Sequence, residues 1–91
     1  MTFRLAAGAD EEAFLAADRR VQTEFAYHQP GLLRRTTGRG AGGTWIVIDL
    51  WRGPDDADAV DAVWGRDPVT AAFMALVDGA SMTTARYDTL D

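Results

Sequence analysis

Few side chains in this sequence are equipped for chemistry, and they are scattered along it. His28 is the only histidine. It stands where an apolar stripe at helical spacing gives out, so its ring falls at a helix C-terminus. An imidazolium there complements the helix dipole, and the same ring can serve as an axial ligand or a general base. One imidazole does not make a histidine-cluster metal site. With no cysteine in the chain to add thiolates, no metal centre and no nucleophilic thiol are expected. Asp49 is the second candidate, a carboxylate inside the apolar strand Thr44-Trp-Ile-Val-Ile-Asp-Leu-Trp51. A carboxylate in such a setting is either ion-paired or has a raised pKa. Arg34 and Arg86 are the cations expected to meet it, and a polar anchor at the bottom of a ligand pocket is the functional alternative. Gln22 and Glu24 lie late in the first helix, and no second acid is spaced with Glu24 to form a carboxylate dyad.

Three tryptophans, Trp45, Trp51 and Trp64, are many for a chain of 91 residues. Core packing accounts for each by default. Trp64 stands apart because it sits beside Gly65 at a helix break, where an indole is free to stack on a flat ligand. The glycine-rich run Gly38-x-Gly40-x-Gly42-Gly43 has the look of a phosphate loop. It joins two strands, however, whereas a dinucleotide fingerprint joins a strand to a helix, and no Lys-Ser or Lys-Thr follows. It reads as a flexible connection.

The elements that must position these groups are legible in the periodicity. Met1 to Ala7 alternates as a short strand. Asp10 is a helix N-cap followed by Glu11 and Glu12, and Ala13, Phe14, Ala17, Val21 and Phe25 form one stripe of an amphipathic helix ending near Tyr27 or His28, before Pro30-Gly31. Leu32 to Arg39 and Thr44 to Trp51 read as strands. Pro54 opens a second helix that runs to Val63 or Trp64. Asp67-Pro68 caps a further helical piece that carries on to Gly79 as its C-terminal glycine. Ser81 to Leu90 closes the chain as a fourth strand. The result is a single domain over residues 1–91, α+β, in the ferredoxin-like order βαββαβ with a four-stranded antiparallel sheet.

Bulk properties narrow the partners. A net charge of -5 and the absence of lysine argue against phosphate-backbone binding and against attraction to anionic lipid, so neither nucleic acid nor membrane is expected. The N-terminal residues lack the apolar core of a signal peptide. Together with the missing cysteines this favours a cytoplasmic location. A domain this small buries a limited fraction of its surface. The strand Thr44 to Trp51 is largely apolar on both faces, with Trp45, Val47, Asp49 and Trp51 on one and Ile46, Ile48 and Leu50 on the other. Two helices cover only one face of a four-stranded sheet, so a second copy is expected to cover the other.

The order of elements, Pro30-Gly31-Leu32-Leu33 ahead of the second strand, and Trp45-Ile46-Val47-Ile48-Asp49-Leu50-Trp51 followed by Gly53-Pro54-Asp55 resemble the antibiotic biosynthesis monooxygenase superfamily. That resemblance implies a homodimeric α/β barrel with a pocket between the helices and sheet of each protomer. On that resemblance a small aromatic or hydrophobic ligand is expected between Trp51, Trp64 and the first helix, with an arginine such as Arg34 or Arg86 to hold its anion and His28 or Asp49 to handle a proton if there is turnover. Heme-degrading members use an asparagine, a tryptophan and a histidine. Trp64 can match the tryptophan, but Met74 stands at the histidine position and the chain has no asparagine. Heme degradation is therefore not expected, and no cofactor is. A ligand-binding domain without assured catalysis is the first functional expectation. A cofactor-independent monooxygenase of aromatic, quinol-like or polyketide-type substrates is the alternative.

Overall fold

The computed structural model describes residues 1–90. Four strands, β1 (Thr2–Leu5), β2 (Leu32–Arg39), β3 (Thr44–Trp51) and β4 (Val77–Thr83), form one sheet in the order β2-β3-β1-β4. Every neighbouring pair is antiparallel. Helices α1 (Glu11–Arg20), α2 (Pro54–Asp61) and α3 (Pro68–Met74) complete the α+β architecture. The strand order and the βαββαβ sequence of elements are compatible with a ferredoxin-like fold.

Local chemistry accounts for the helix starts. The Asp10 carboxylate accepts from Ala13 N at 3.2 Å, and Asp67 accepts from Val69 N at 2.8 Å. Each satisfies an amide that has no partner within its own helix. Pro54 and Pro68 take the first helical positions, where the missing N–H costs nothing. The first helix does not run unbroken to its end. After Arg20 it widens into a π turn at Val21–Phe25 and then tightens into a 3-10 turn at Ala26–His28. The Thr23 hydroxyl donates to Arg19 O at 2.9 Å within the wide turn, a back-bond of the kind that distorts helices. Val21, Phe25 and Ala26 are all buried as a result, and Tyr27 turns its hydroxyl onto β2, where it accepts from Arg35 N at 3.0 Å. That bond occupies a main-chain donor on an edge strand, which otherwise invites pairing with another chain.

One aromatic cluster joins helices to sheet. Phe3, Phe14 and Phe73 are almost wholly buried, with ring centroids 5.3–5.8 Å apart. Trp45 stands 4.8 Å from Phe14. Beside this cluster lies a charge. The Arg35 side chain is 1 % exposed and donates to Asp18 Oδ1 on α1 at 2.8 Å, while Thr37 Oγ1 donates to the same oxygen at 3.1 Å.

Four boundaries differ from the sequence reading. α2 ends at Asp61, short of Val63 or Trp64, and a separate 3-10 turn follows at Trp64–Arg66. β1 is shorter than Met1 to Ala7, because Ala9 N returns to Ala6 O at 3.0 Å in a turn with Gly8 at φ +77°. α3 stops at Met74, not at Gly79, and β4 is Val77–Thr83 where Ser81 to Leu90 was expected. Val77 is buried and pairs with Leu5. Burying a β-branched side chain beside β1 outweighs the helical spacing of Phe73, Leu76 and Val77. Gly79 therefore lies inside a strand, and residues 84–90 continue beyond β4 without sheet pairing. The glycine-rich link is ordered: Ala41–Gly43 forms a 3-10 turn with Gly42 at φ +68° and Gly43 at φ +80°, tied to β1 by a hydrogen bond from the Arg4 guanidinium to Gly42 O.

The buried pair makes a prediction. Asp18→Ala strands the Arg35 guanidinium in the core and should cost about 3–5 kcal/mol. Replacing both, Asp18→Leu with Arg35→Met, should recover most of that loss. Urea unfolding of the single and double variants measures both quantities, and a cost below about 1 kcal/mol for Asp18→Ala would mean the charge is not held as described.

Candidate functional site

The sheet is notched. Just before β1, the Met1 amine donates to Val47 O at 2.8 Å and the Met1 carbonyl accepts from Val47 N at 2.8 Å. β3 runs four residues further, to Trp51, and there it has β2 on one side only. Main-chain direction repeats every second residue of a strand, so Asp49 and Trp51 aim their N–H and C=O groups the way Val47 does, into the gap. Among the described residues those groups have no main-chain partner. Across the gap runs the segment after β4. Arg86 holds it against α2 through Asp58 Oδ1 and Asp61 Oδ2, each at 2.7 Å.

Between β3, α2 and this segment lies a cleft of about 970 Å³. Its lining is chiefly apolar, with Trp51, Val60, Trp64, Met74 and Met82 on the inner side and Ile48 and Leu50 toward the uncovered face of the sheet. The cleft abuts a narrow chamber of about 10 Å³ between helices and sheet, and the two share Asp49, Trp51, Val60 and Trp64 in their walls. The chamber has room for one water at most. The break between α2 and α3 does not open the space expected beneath it. The Trp64 indole closes it, edge-on to Phe25 at 5.6 Å and to Phe73 at 5.9 Å. The notch is the larger of the two spaces by far.

Asp49 borders both spaces, with 30 % of its side chain exposed. Its neighbour is Arg35, where Arg34 or Arg86 was expected. The Arg35 Nε lies 3.9 Å from Asp49 Oδ1, too far for a hydrogen bond, and the guanidinium is already committed to Asp18. Burial raises the Asp49 pKa above the ordinary carboxylate value. The Arg35 guanidinium opposes that rise, followed by the Met1 ammonium, and Asp18 adds to it.

The remaining candidates lie elsewhere. His28 Nε2 is 3.0 Å from Thr23 O, at the exposed end of the first helix, and the ring does not line the cleft. Arg34 pairs across the sheet with Leu50, Arg35 with Asp49, so Arg34 stands on the opposite face from Asp49 and donates to Thr36 Oγ1 at 3.3 Å. Arg86 does border the cleft, with both arms engaged by carboxylates. Glu24 is paired with Arg20 at 2.6 Å. The structure thus brings Asp49, Trp51, Trp64 and Arg86 together and separates them from His28 and Arg34. Asp18 and Arg35 were missed as part of this group. The signal was present: Asp18 is four residues after Phe14 and three before Val21, which places it on the buried stripe.

No group of three or more His, Cys, Asp or Glu among the described residues is arranged to hold a metal ion. No helix among them is long and apolar enough to cross a membrane.

The raised Asp49 pKa sets a sign for pH dependence. A carboxyl that binds its proton more tightly when folded favours the native state most below the unfolded pKa, about 3.9. That advantage is lost as pH rises through the folded value. Asp49→Asn should therefore gain stability relative to the unsubstituted protein as pH rises from about 4, and the difference should flatten at higher pH. Thermal unfolding of both proteins over a pH series tests this, and a difference that moves the other way would place Asp49 in a strong ion pair instead.

No family model, no curated protein and no solved structure matches this chain.

Proposed function

We propose that this chain is a homodimeric binding domain for a small aromatic or hydrophobic molecule, held in the notch beside β3, and that it is built for binding rather than turnover. The observation that carries the reading is the cleft itself. Two indoles and three methionines border a space large enough for a small organic molecule, together with polar groups from β3, α2 and the segment after β4. That combination is characteristic of small-molecule sites. Turnover is disfavoured because Asp49 has no acid–base partner within reach. His28 is engaged elsewhere, and Arg86 is held by two carboxylates.

The dimer is argued from the uncovered face of the sheet. Ile46, Ile48 and Leu50 are 37 %, 56 % and 39 % exposed, and Leu33 is 60 % exposed. These side chains lie on β3 and at the bulge of the adjoining edge strand β2. An apolar face of a small antiparallel sheet is covered most economically by an identical face across a two-fold axis. Such a pairing yields a dimeric α/β barrel of the kind found in the antibiotic biosynthesis monooxygenase superfamily, and the strand order β2-β3-β1-β4 is consistent with it. It also brings a second protomer close to the outer mouth of the notch, where Ile48 and Leu50 lie.

Two measurements test the proposal. Sedimentation at micromolar concentration should give a dimer burying more than roughly 1,000 Å² in total, and Ile48→Glu should shift it to monomer. Trp64→Ala should weaken binding of a flat aromatic probe by about tenfold and leave the sedimentation coefficient unchanged. A monomeric unsubstituted protein would refute the dimer. A probe that binds with equal affinity to both forms would remove the notch as the site. Oxygen uptake in the presence of a quinol would favour the monooxygenase reading.

A further inference from the structure

The charged groups around the notch are unequal in what they have left to offer. Arg52 points both arms at Asp56, at 3.1 and 2.9 Å. Arg86 is divided between Asp58 and Asp61 at 2.7 Å each. Arg35 lies behind the wall, 1 % exposed and bonded to Asp18. Every guanidinium close to the cleft is thus already neutralised by a carboxylate. Asp49 is different. Among the described residues nothing donates a hydrogen bond to its carboxylate, and its nearest cation is 3.9 Å away. Its main-chain groups and those of Trp51 also face the gap without partners. At the inner edge of the notch the unspent acceptor is therefore the Asp49 carboxylate, flanked by open strand edge and by the Met1 ammonium, which donates to Val47 O.

We infer that the notch selects a flat aromatic molecule carrying an uncharged hydrogen-bond donor, a phenolic hydroxyl or a ring N–H, which Asp49 accepts while Trp51 and Trp64 border the ring. This rests on the ligand-binding reading above and adds the ligand's polarity to it. An aromatic anion is disfavoured because its charge would meet the Asp49 carboxylate, while both lining arginines are bound by carboxylates and the Met1 ammonium, the remaining cation on the lining, donates to Val47 O and already acts on Asp49. A cation is disfavoured because Val60, Met74 and Met82 supply apolar surroundings in which a charge is costly to desolvate. The same burial that raises the Asp49 pKa weakens the carboxylate as a counter-ion. A neutral donor satisfies the acceptor and brings no charge of its own. It also fits the idle strand edge, whose amides and carbonyls accommodate a second polar substituent on the ring.

Equilibrium dialysis at pH 7 with naphthalene probes of one shape tests the inference: 2-naphthol, 2-methoxynaphthalene, 2-naphthoate and 2-naphthylmethylammonium. The expected order places 2-naphthol first, about tenfold tighter than the methoxy compound, which lacks the donor, and tighter still than the naphthoate. Asp49→Asn keeps an accepting carbonyl, so naphthol binding should stay within about threefold while naphthoate binding improves. Asp49→Leu should bring naphthol down to the level of the methoxy compound. If Asp49→Leu does not fold, the ranking on the unsubstituted protein and the Asn variant still decides the matter. Tightest binding of the naphthoate or of the ammonium probe overturns the inference and leaves the ligand site standing, as does equal binding of all the probes. Binding of none of them overturns the site and the inference together.

Discussion

A guanidinium buried between a helix layer and a sheet has to be neutralised where it stands, and much of this fold follows from how Arg35 is treated. Its head is taken by Asp18 on α1 at 2.8 Å, which fixes the rotation of that helix about its axis. Thr37, two residues along the same strand, donates to the same carboxylate oxygen. The Arg35 N–H is taken by the Tyr27 hydroxyl, which requires the helix to widen and then tighten after Arg20. The strand itself must place Arg35 inward, and a register shift between Leu32 and Arg34 sets that alternation. A one-residue slip of β2 would send Arg35 to the open face and Arg34 into the core. The ion pair thus specifies register at least as much as it contributes stability, since a buried pair gives back much of its attraction in desolvation.

That arrangement also decides the state of Asp49. One guanidinium stands near two carboxylates, and the closer bond goes to Asp18. Asp49 is left with a longer-range attraction that does not make up for the water it has lost, so its pKa is raised. Its hydrogen-bonding capacity remains unspent beside a gap in the sheet. The gap has an independent cause in the brevity of β1, four residues against eight in β3. The candidate site is where these two features coincide. Neither alone would make one: a notch beside a neutral residue has no polar anchor, and an unspent carboxylate in a complete sheet has no space before it.

The sheet strands were legible where composition and period agreed. Thr44–Trp51 is β-branched or aromatic over most of its length and is bounded by glycines, so no helical reading competes with it. Pro54 and Asp67-Pro68 marked helix starts because capping is local chemistry that depends little on the rest of the fold. The end of α3 was not legible. Phe73, Leu76 and Val77 satisfy helical spacing as well as they satisfy a helix ending followed by a strand, and only the pairing of Val77 with Leu5 decides between them. Asp18 was legible in position and illegible in role. Its spacing from Phe14 and Val21 put it on the buried stripe, but a charged residue there makes sense only once Arg35 is known to face inward. That depends on the β2 bulge, which leaves no mark in two adjacent leucines. The notch was invisible for a related reason, since it is a difference in length between strands that pair across more than forty residues of sequence.

The electrostatic character of the cleft follows from a composition that looked uninformative. With nine arginines and fourteen acids, carboxylates outnumber guanidinium groups, and near the notch each arginine has drawn in one or two of them. Such pairing leaves the Met1 ammonium as the one cation on the lining without a carboxylate bond, and Asp49 as the sheet carboxylate with spare capacity. An acidic chain built this way is a poor receptor for anions even where arginines are numerous, because an anion must first displace a neighbouring carboxylate from an existing bond. A donor to Asp49 displaces nothing but water. What a ligand meets here is therefore set less by the number of arginines around the notch than by which of the neighbouring acids has been left without one.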